Sequence, residues 1–240
     1  MRRYIATVAL ILLAWEASSL LVDKPYLPPF SQVALRLIND SQIYLQNLAA
    51  TLGRVFTSTI VALVAGLSAG LAATWLPDKL GTSILKSAIL LTYPIPHVAL
   101  LPVLLHIFSI ESSKIVLMSL IAFYPVALSV MEWAQRFPRE LAALIYTMGG
   151  GRVDVVRYVV IPSSLPGIIT GLKIALNTAY SVSFIAESLV LTDGVGALIY
   201  NHWHRLDFVG MWAGIVTLAA AGIATYFAMT YIERKILKWV

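Results

Sequence analysis

Six apolar runs constrain this 240-residue chain more than any other feature, each near or beyond the roughly 20 residues that carry a helix across a bilayer. They cover about residues 4–22, 47–75, 82–108, 113–133, 163–191 and 208–232. Only 12% of residues are charged, against about 25% in an average soluble domain, and the mean hydropathy is +0.83. In hydrocarbon the backbone must satisfy its own polar groups, so runs of this length predict an all-α integral membrane protein with six transmembrane helices.

The first run follows Met1-Arg2-Arg3, a basic start that a signal peptide shares, but no small-x-small cleavage site precedes the next polar segment. It therefore reads as an uncleaved span. Glu16 interrupts it, and a mid-span carboxylate costs about 2.5–3.5 kcal/mol on insertion scales, so Glu16 is expected to face other helices or sit protonated. Residues 23–46, with Pro25, Pro28 and Pro29, read as an external loop with a short surface helix.

Span two has a small-residue face, Gly66, Ser68, Ala69, Gly70, Ala72 and Ala73, suited to close helix packing. Pro77-Asp78-Lys79 reads as a short cytoplasmic turn. Span three contains Tyr93-Pro94-Ile95-Pro96, which reads equally as a kinked helix or as a break lining a pathway. Span five is the most polar, with Lys173, Asn177, Thr178, Ser181, Ser183 and Glu187. It also repeats small residues every fourth position at Ser163, Gly167, Gly171, Ala175 and Ala179. Lys173 is expected to pair with a carboxylate or to snorkel; Glu187 reads as a gate or as an interface residue. A polar loop, 192–207, leads to span six.

The longest water-facing stretch is 136–162. Leu141, Leu144, Ile145 and Met148 fall at i, i+3, i+4 and i+7, one face of a helix that Pro138 is placed to begin. Gly149-Gly150-Gly151 stops it, because glycine enters positive-φ conformations freely. A second short helix, about 152–160, is expected to end before Pro162. Two short amphipathic helices between spans make a docking surface.

Orientation follows from the cations. Arg2, Arg3, Lys79, Lys86, Arg136, Arg139, Arg152, Arg157, Arg234, Lys235 and Lys238 share one side; Lys24, Arg36, Arg54, Lys114 and Arg205 lie at the other ends. Eleven against five places both termini and the 136–162 loop in the cytoplasm.

Several chemistries lack their residues. No Gly-Lys-Ser/Thr occurs, so there is no phosphate-binding loop for ATP. No His-Glu-x-x-His, Ser–His–Asp spacing or paired-carboxylate motif is found, and the chain reads as a non-enzyme. There is no cysteine, hence no thiolate metal site. His202 and His204, two apart around Trp203, are weak metal ligands and read as an interfacial loop. His97 and His106 read as packed or hydrogen-bonded. The cations cluster at the ends of apolar runs rather than in a stripe, against nucleic-acid binding.

Gly149 followed at a fixed gap by Ile161-Pro162 resembles the glycine and Leu-Pro of the EAA loop of binding-protein-dependent ABC importer permeases. Met148-Gly149-Gly150-Gly151-Arg152 stands where that family has Leu-Gly-Ala-Ser-Arg. The family's glutamate position, six before the glycine, is Ala143, and Glu140 lies three residues earlier. Pro94-Ile95-Pro96 with Leu100-Leu101-Pro102, Ser113-Lys114-Ile115, Phe123-Tyr124-Pro125, Leu165-Pro166-Gly167-Ile168, Ala186-Glu187-Ser188 and Gly194-Val195-Gly196 resemble the nitrate/sulfonate/taurine-type branch in the same order.

The resemblance implies a type I transmembrane subunit at the cell membrane, with residues 1–46 a first helix and external loop, 47–233 the transport domain and 234–240 a basic tail. It implies a second permease copy, two cytoplasmic ABC ATPase subunits that bind the ATP, and an external solute-binding protein; the chain itself would hold no cofactor. Glu140, Leu141, Leu144, Ile145, Met148, Gly149, Gly150, Arg152, Ile161 and Pro162 would form the ATPase-coupling loop. Pro94, Pro96, Asn177, Ser181 and Glu187 are the candidate pathway residues. The substrate class would be a small oxyanion (nitrate, sulfonate, taurine or bicarbonate-like) or a small organic precursor. Two other readings are an ion-coupled secondary transporter using Glu16, Glu187 or Lys173, and a membrane scaffold with no pathway.

Overall fold

The computed structural model describes residues 2–75 and 79–237, apart from the side chains of 2–5 and 79. Pro77 and Asp78 of the expected cytoplasmic turn, and the tail from Lys238, lie outside the described residues. All regular structure among the described residues is helical. By length and composition, Ser41–Trp75, Ile110–Trp133, Arg152–Ser188 and Phe208–Ile236 are each long and apolar enough to cross a membrane. Leu80–Thr92 with His97–Ile107 makes a bent fifth, and Ala6–Val22 is a shorter apolar helix. The chain folds into two compact units.

One unit is Met1–Gly53 with Glu187–Ala221. It contains α1 (Arg2–Val22), α2 (Phe30–Asn39), the start of α3 (Ser41–Trp75), α10 (Val195–His204) and the first half of α11 (Phe208–Ile236). Val33, Tyr44 and Ala213 are buried at its centre, packed by Trp15, Leu37, Leu198 and Trp212. The proline-rich loop is tied down by two indoles: Trp15 Nε1 donates to Pro28 O and Trp212 Nε1 to Tyr26 O, each at 3.0 Å. Glu16 faces another helix, as expected of it, and that helix is the short α2 rather than a membrane-length one. Its carboxylate accepts from Ser31 N at 3.0 Å and Ser31 Oγ at 2.7 Å, where the dipole of α2 favours an anion.

The expected polar loop 192–207 is also corrected, since it contains the ten-residue helix α10. Its Val-Gly-Ala-Leu-Ile start is apolar enough to pack, and Val195, Ala197 and Ile199 are buried. His202 bonds through Nδ1 to Asp207 at 2.9 Å, and Arg36 reaches the same carboxylate at 3.1 Å. Burial would raise the Asp207 carboxyl, but the Gly210 N–H, Arg36 and His202 outweigh it and hold it below its ordinary value. A depressed carboxylate stabilises the fold above its unfolded pKa of about 3.9, and that contribution fades as pH falls through the folded value.

The other unit is Arg54–Ala186 with Gly222–Val240. It adds α4 (Lys79–Thr92), a 3₁₀ turn (His97–Leu100), α5 (Leu101–Ile107), α6 (Ile110–Trp133), α7 (Arg139–Thr147), α8 (Arg152–Val155) and α9 (Ile161–Ser188). The small-residue faces read from the sequence both close on α6. On α3, a Cβ at Gly66 would stand 2.8 Å from Val126 and one at Gly70 2.8 Å from Val130. On α9, a Cβ at Gly171 would come within 3.0 Å of the Pro125 carbonyl, and one at Gly167 within 2.2 Å of the Trp133 ring. Hydrocarbon offers no hydrophobic drive between helices, so this close approach is what holds them.

A Gly167→Val substitution is therefore expected to overpack the α6–α9 contact at about 1–3 kcal/mol. Thermal unfolding in detergent should register a clear fall in Tm. Gly53→Ala is the control, since a Cβ there meets nothing within 4 Å, and it should not lower Tm.

Span three is a break rather than a kink. Its halves, Leu80–Thr92 and His97–Ile107, bend by 89° at Tyr93-Pro94-Ile95-Pro96. Two prolines in three residues remove two backbone donors and crowd the preceding turn. The corner is pinned by His97, which is buried with Nε2 2.9 Å from the Tyr124 hydroxyl.

Candidate functional site

The 136–162 segment builds a two-faced hook within the second unit. Pro138 is the N-cap of α7, immediately before Arg139–Thr147. The helix stops in the Schellman arrangement: Gly150 N donates to Ile145 O at 2.9 Å and Gly149 N to Tyr146 O at 3.1 Å. Gly149 takes φ +84° to close it, a conformation that side chains with a β-carbon resist. A Cβ at Gly150 would stand 2.6 Å from Ile145 Cγ2. Gly151 then begins α8, its N–H held by Asp154 Oδ2 at 2.7 Å.

The inner face of the hook is fixed. Ala142, Val155, Val159 and Val160 form a buried cluster with Ala134, against which Ile145, Phe137 and Trp75 pack. Trp75 Nε1 donates to Ala134 O at 3.2 Å, and the Arg152 guanidinium lies over the Trp75 ring at 5.7 Å. The four apolar side chains read from the heptad-like spacing therefore divide. Ile145 packs inward, while Leu141 (50% exposed), Leu144 (54%) and Met148 (76%) point out. Val153 on α8, 77% exposed, joins the outward set. Glu140 is exposed beside them.

The second short helix does not end before Pro162. After α8 the backbone widens into a π turn, Val156–Val160, and runs on into α9 without interruption. Ile161 N–H bonds Val156 O, one residue further back than in an α-helix. That register shift relieves the clash a proline ring makes with the carbonyl four residues earlier. Ile161 and Pro162 consequently sit half-buried inside one long helix, Arg152–Ser188. The hook is thus a rigid extension of a membrane-length helix.

The intramembrane residues resolve individually. Lys173 Nζ pairs with Glu233 Oε2 at 2.7 Å and lies 5.1 Å from the Tyr226 ring, the pairing expected of it. Asn177 and Ser181 are exposed on α9, as are Pro94 and Pro96 at the break. Glu187, in the first unit, is fully buried. It accepts from Thr51 Oγ1 at 3.0 Å and from Gly196 N at 2.8 Å, while Thr51 in turn accepts from Val195 N at 2.9 Å. Asn47 Oδ1 takes Gly194 N at 2.9 Å. Three side chains thereby satisfy the leading N–H groups of α10, which would otherwise be orphaned.

Sequence reasoning missed a charged triad in which two buried cations share a half-exposed carboxylate. Glu111 bridges Arg54 Nε at 2.8 Å and Lys114 Nζ at 3.0 Å, with the two cations almost wholly buried. The i, i+3 spacing of Glu111 and Lys114 was the available signal.

The described residues thus form an all-helical architecture of membrane-length helices with one broken helix and a two-helix hook. Solved structures with that fold match at low identity: a chain of the inward-facing methionine ABC transporter MetNI superposes with TM-score 0.72 at 21% identity, covering 82% of this chain and 97% of that one. A chain of an amino acid ABC transporter gives TM-score 0.66 at 14% identity, covering 86% and 98%. Among sequence relatives, the taurine transport system permease protein TauC of Escherichia coli (strain K12) is 30% identical, covering 98% of this chain and 88% of its own. The formylaminopyrimidine transport permease protein ThiX of Halalkalibacterium halodurans is 26% identical over 96% and 92%.

Residues 62–238 match the family model described as binding-protein-dependent transport system inner membrane component, and the chain belongs to that family. It is a multi-pass inner-membrane permease subunit of an ABC importer.

Proposed function

We propose that two copies of this chain form the translocation pathway of an importer, driven by two separate ABC ATPase subunits and fed by an external solute-binding protein. The observation that carries the motor assignment is the outward set Leu141, Leu144, Met148 and Val153, left unburied on a hook whose other face is locked into the core. Apolar side chains held rigidly outside the bilayer fit a cleft on an ATPase. Closure of the ATPases on ATP would rock the hook and, through the continuous Arg152–Ser188 helix, span five. In this reading 47–233 is the transport domain, and Glu140, Gly150, Arg152, Ile161 and Pro162 support the coupling surface.

The pathway is assigned to exposed polar positions. Asn177 and Ser181, four apart on α9, form a polar face that hydrocarbon would penalise; facing water or a second copy removes the penalty. Pro94 and Pro96 contribute the irregular backbone, which membranes tolerate beside a cavity. Glu187 acts at the end of the same helix by holding α10. The family match over residues 62–238 argues against the ion-coupled alternative, and Glu16, Glu187 and Lys173 each have a structural role within the fold.

The substrate reading is a small oxyanion of the sulfonate or nitrate type, supported by the taurine permease relative. The formylaminopyrimidine permease keeps a small organic precursor as the second reading. The compound retained by the cognate binding protein through purification decides between them.

Topology provides an independent test. With six spans and cytoplasmic termini, a reporter fused after Met148 should read cytoplasmic and one fused after Asp193 external; the opposite pattern overturns the orientation. The purified chain alone should hydrolyse no ATP, since it lacks a phosphate-binding loop. Turnover by the isolated chain, free of contaminating ATPase, would refute the division of labour.

A further inference from the structure

Between α4 and the end of α6 lies a groove of 450 Å³ that the transport reading does not use. Its walls change character along their length. Leu90 on α4 and Leu128 and Met131 on α6 make one end apolar; Lys86, one turn before Leu90, and Gln135 and Arg136, beyond Met131, make the other end polar. Lys86 is exposed, and among the described residues no carboxylate pairs with it. Arg136 shares Glu132 as an ion-pair partner and lies 5.9 Å from the Trp133 ring. With Glu132 counted against the two cations, the polar end carries one net positive charge.

From this arrangement we infer that the groove binds an anionic phospholipid, with the phosphate between Lys86 and Arg136 and the glycerol and first chain carbons against Leu90, Leu128 and Met131. The charge matches, since a phosphodiester carries one negative charge. The polarity gradient matches as well, running from polar groups beside the 136–162 loop to apolar side chains deeper in a membrane-length helix. Basic pockets between transmembrane helices are favoured sites for such headgroups. The volume accommodates a headgroup and the start of its chains, leaving the rest of the lipid in the bilayer.

The test uses the full-length permease in neutral detergent, titrated separately with short-chain phosphatidylglycerol, short-chain phosphatidylcholine and inorganic phosphate, with native mass spectrometry counting retained lipid. Phosphatidylglycerol should bind preferentially. Lys86→Gln with Arg136→Gln should weaken it roughly twenty- to thirtyfold, about fivefold for each cation removed. Glu132→Gln should move affinity the other way by about fivefold, so the inference does not depend on a variant that fails to fold. Equal binding of phosphatidylcholine, or affinity unmoved by all three substitutions, overturns it. Inorganic phosphate competing at equal affinity would make the ligand a free anion, overturning the lipid assignment. A Lys86→Cys protein that cross-links to a second copy while retaining no lipid would assign the groove to an interface instead.

Discussion

Valine in place of Gly149 is expected to leave the permease in the membrane at normal levels while abolishing recovery of its ATPase and substrate uptake. Gly149 sits at φ +84° with nothing within 4 Å of where a Cβ would project, so the effect is conformational rather than a clash. A β-branched residue held there costs about 1–3 kcal/mol. Abandoning the positive φ breaks the two hydrogen bonds that close α7 and moves Met148 and Leu144 relative to the helix they extend. Burying such a side chain is worth about 1.5–3 kcal/mol, so two misplaced contacts weaken docking by roughly two to four orders of magnitude. Asparagine, which tolerates the left-handed region, should restore part of the assembly. Arg139→Ala, an exposed change outside the apolar set, should do little. Normal assembly and transport in Gly149→Val would remove the hook from the coupling mechanism.

A second large effect is expected where Gly194 meets Glu187. A Cβ on Gly194 would lie 2.4 Å from Glu187 Cδ, and the backbone there has φ +107°. Gly194→Ala is therefore both strained and blocked. Glu187→Ala leaves the Thr51 hydroxyl and the Gly196 N–H without their acceptor, at about 1–3 kcal/mol for each buried donor. The two substitutions should not add. Removing the carboxylate makes room for the methyl group, so Gly194→Ala should cost at least 1 kcal/mol less in the Glu187→Ala background. Thermal unfolding of the four proteins measures the coupling. Simple additivity would mean that the loop does not close over Glu187.

These expectations show what the sequence carried and what it did not. Backbone requirements were readable: the triple glycine marked a stop, and Gly149 supplies the positive φ. The four-residue repeat of small side chains on span five was also readable, since period 3.6 puts such residues on one face, and Gly167 and Gly171 lie against α6. Lys173 asked for a counter-charge, and Glu233 provides it. Departures came where one local signal had two structural solutions. Pro162 marks either a helix end or a helix that changes its hydrogen-bond register, and only the packing of Val159 and Val160 into the hook core selects the second. Residues 192–207 contain turn formers at their edges and an apolar centre, and α10 is capped by the nearby Glu187 and by Thr51 and Asn47, which lie 144 and 147 residues from the groups they accept from. Glu16, by contrast, was readable as facing another helix, and the start of α2 supplies its partner fifteen residues on.

For the candidate site, helical spacing placed Leu141, Leu144, Ile145 and Met148 together, but it cannot divide a broad apolar face between core and partner. The side chains of Trp75, Phe137 and Val155 make that division by occupying the inner half.

The central claim is that the outward side chains of the hook hold the ATPase. Because Leu141, Leu144 and Met148 are exposed, their removal should barely disturb the permease itself. The direct measurement is the affinity of the purified ATPase for permease in nanodiscs, wild type against the triple Leu141→Ala, Leu144→Ala, Met148→Ala. Loss of at least a hundredfold in affinity, with an unchanged permease Tm, is the predicted result; unchanged affinity would contradict the assignment of the hook as the coupling surface.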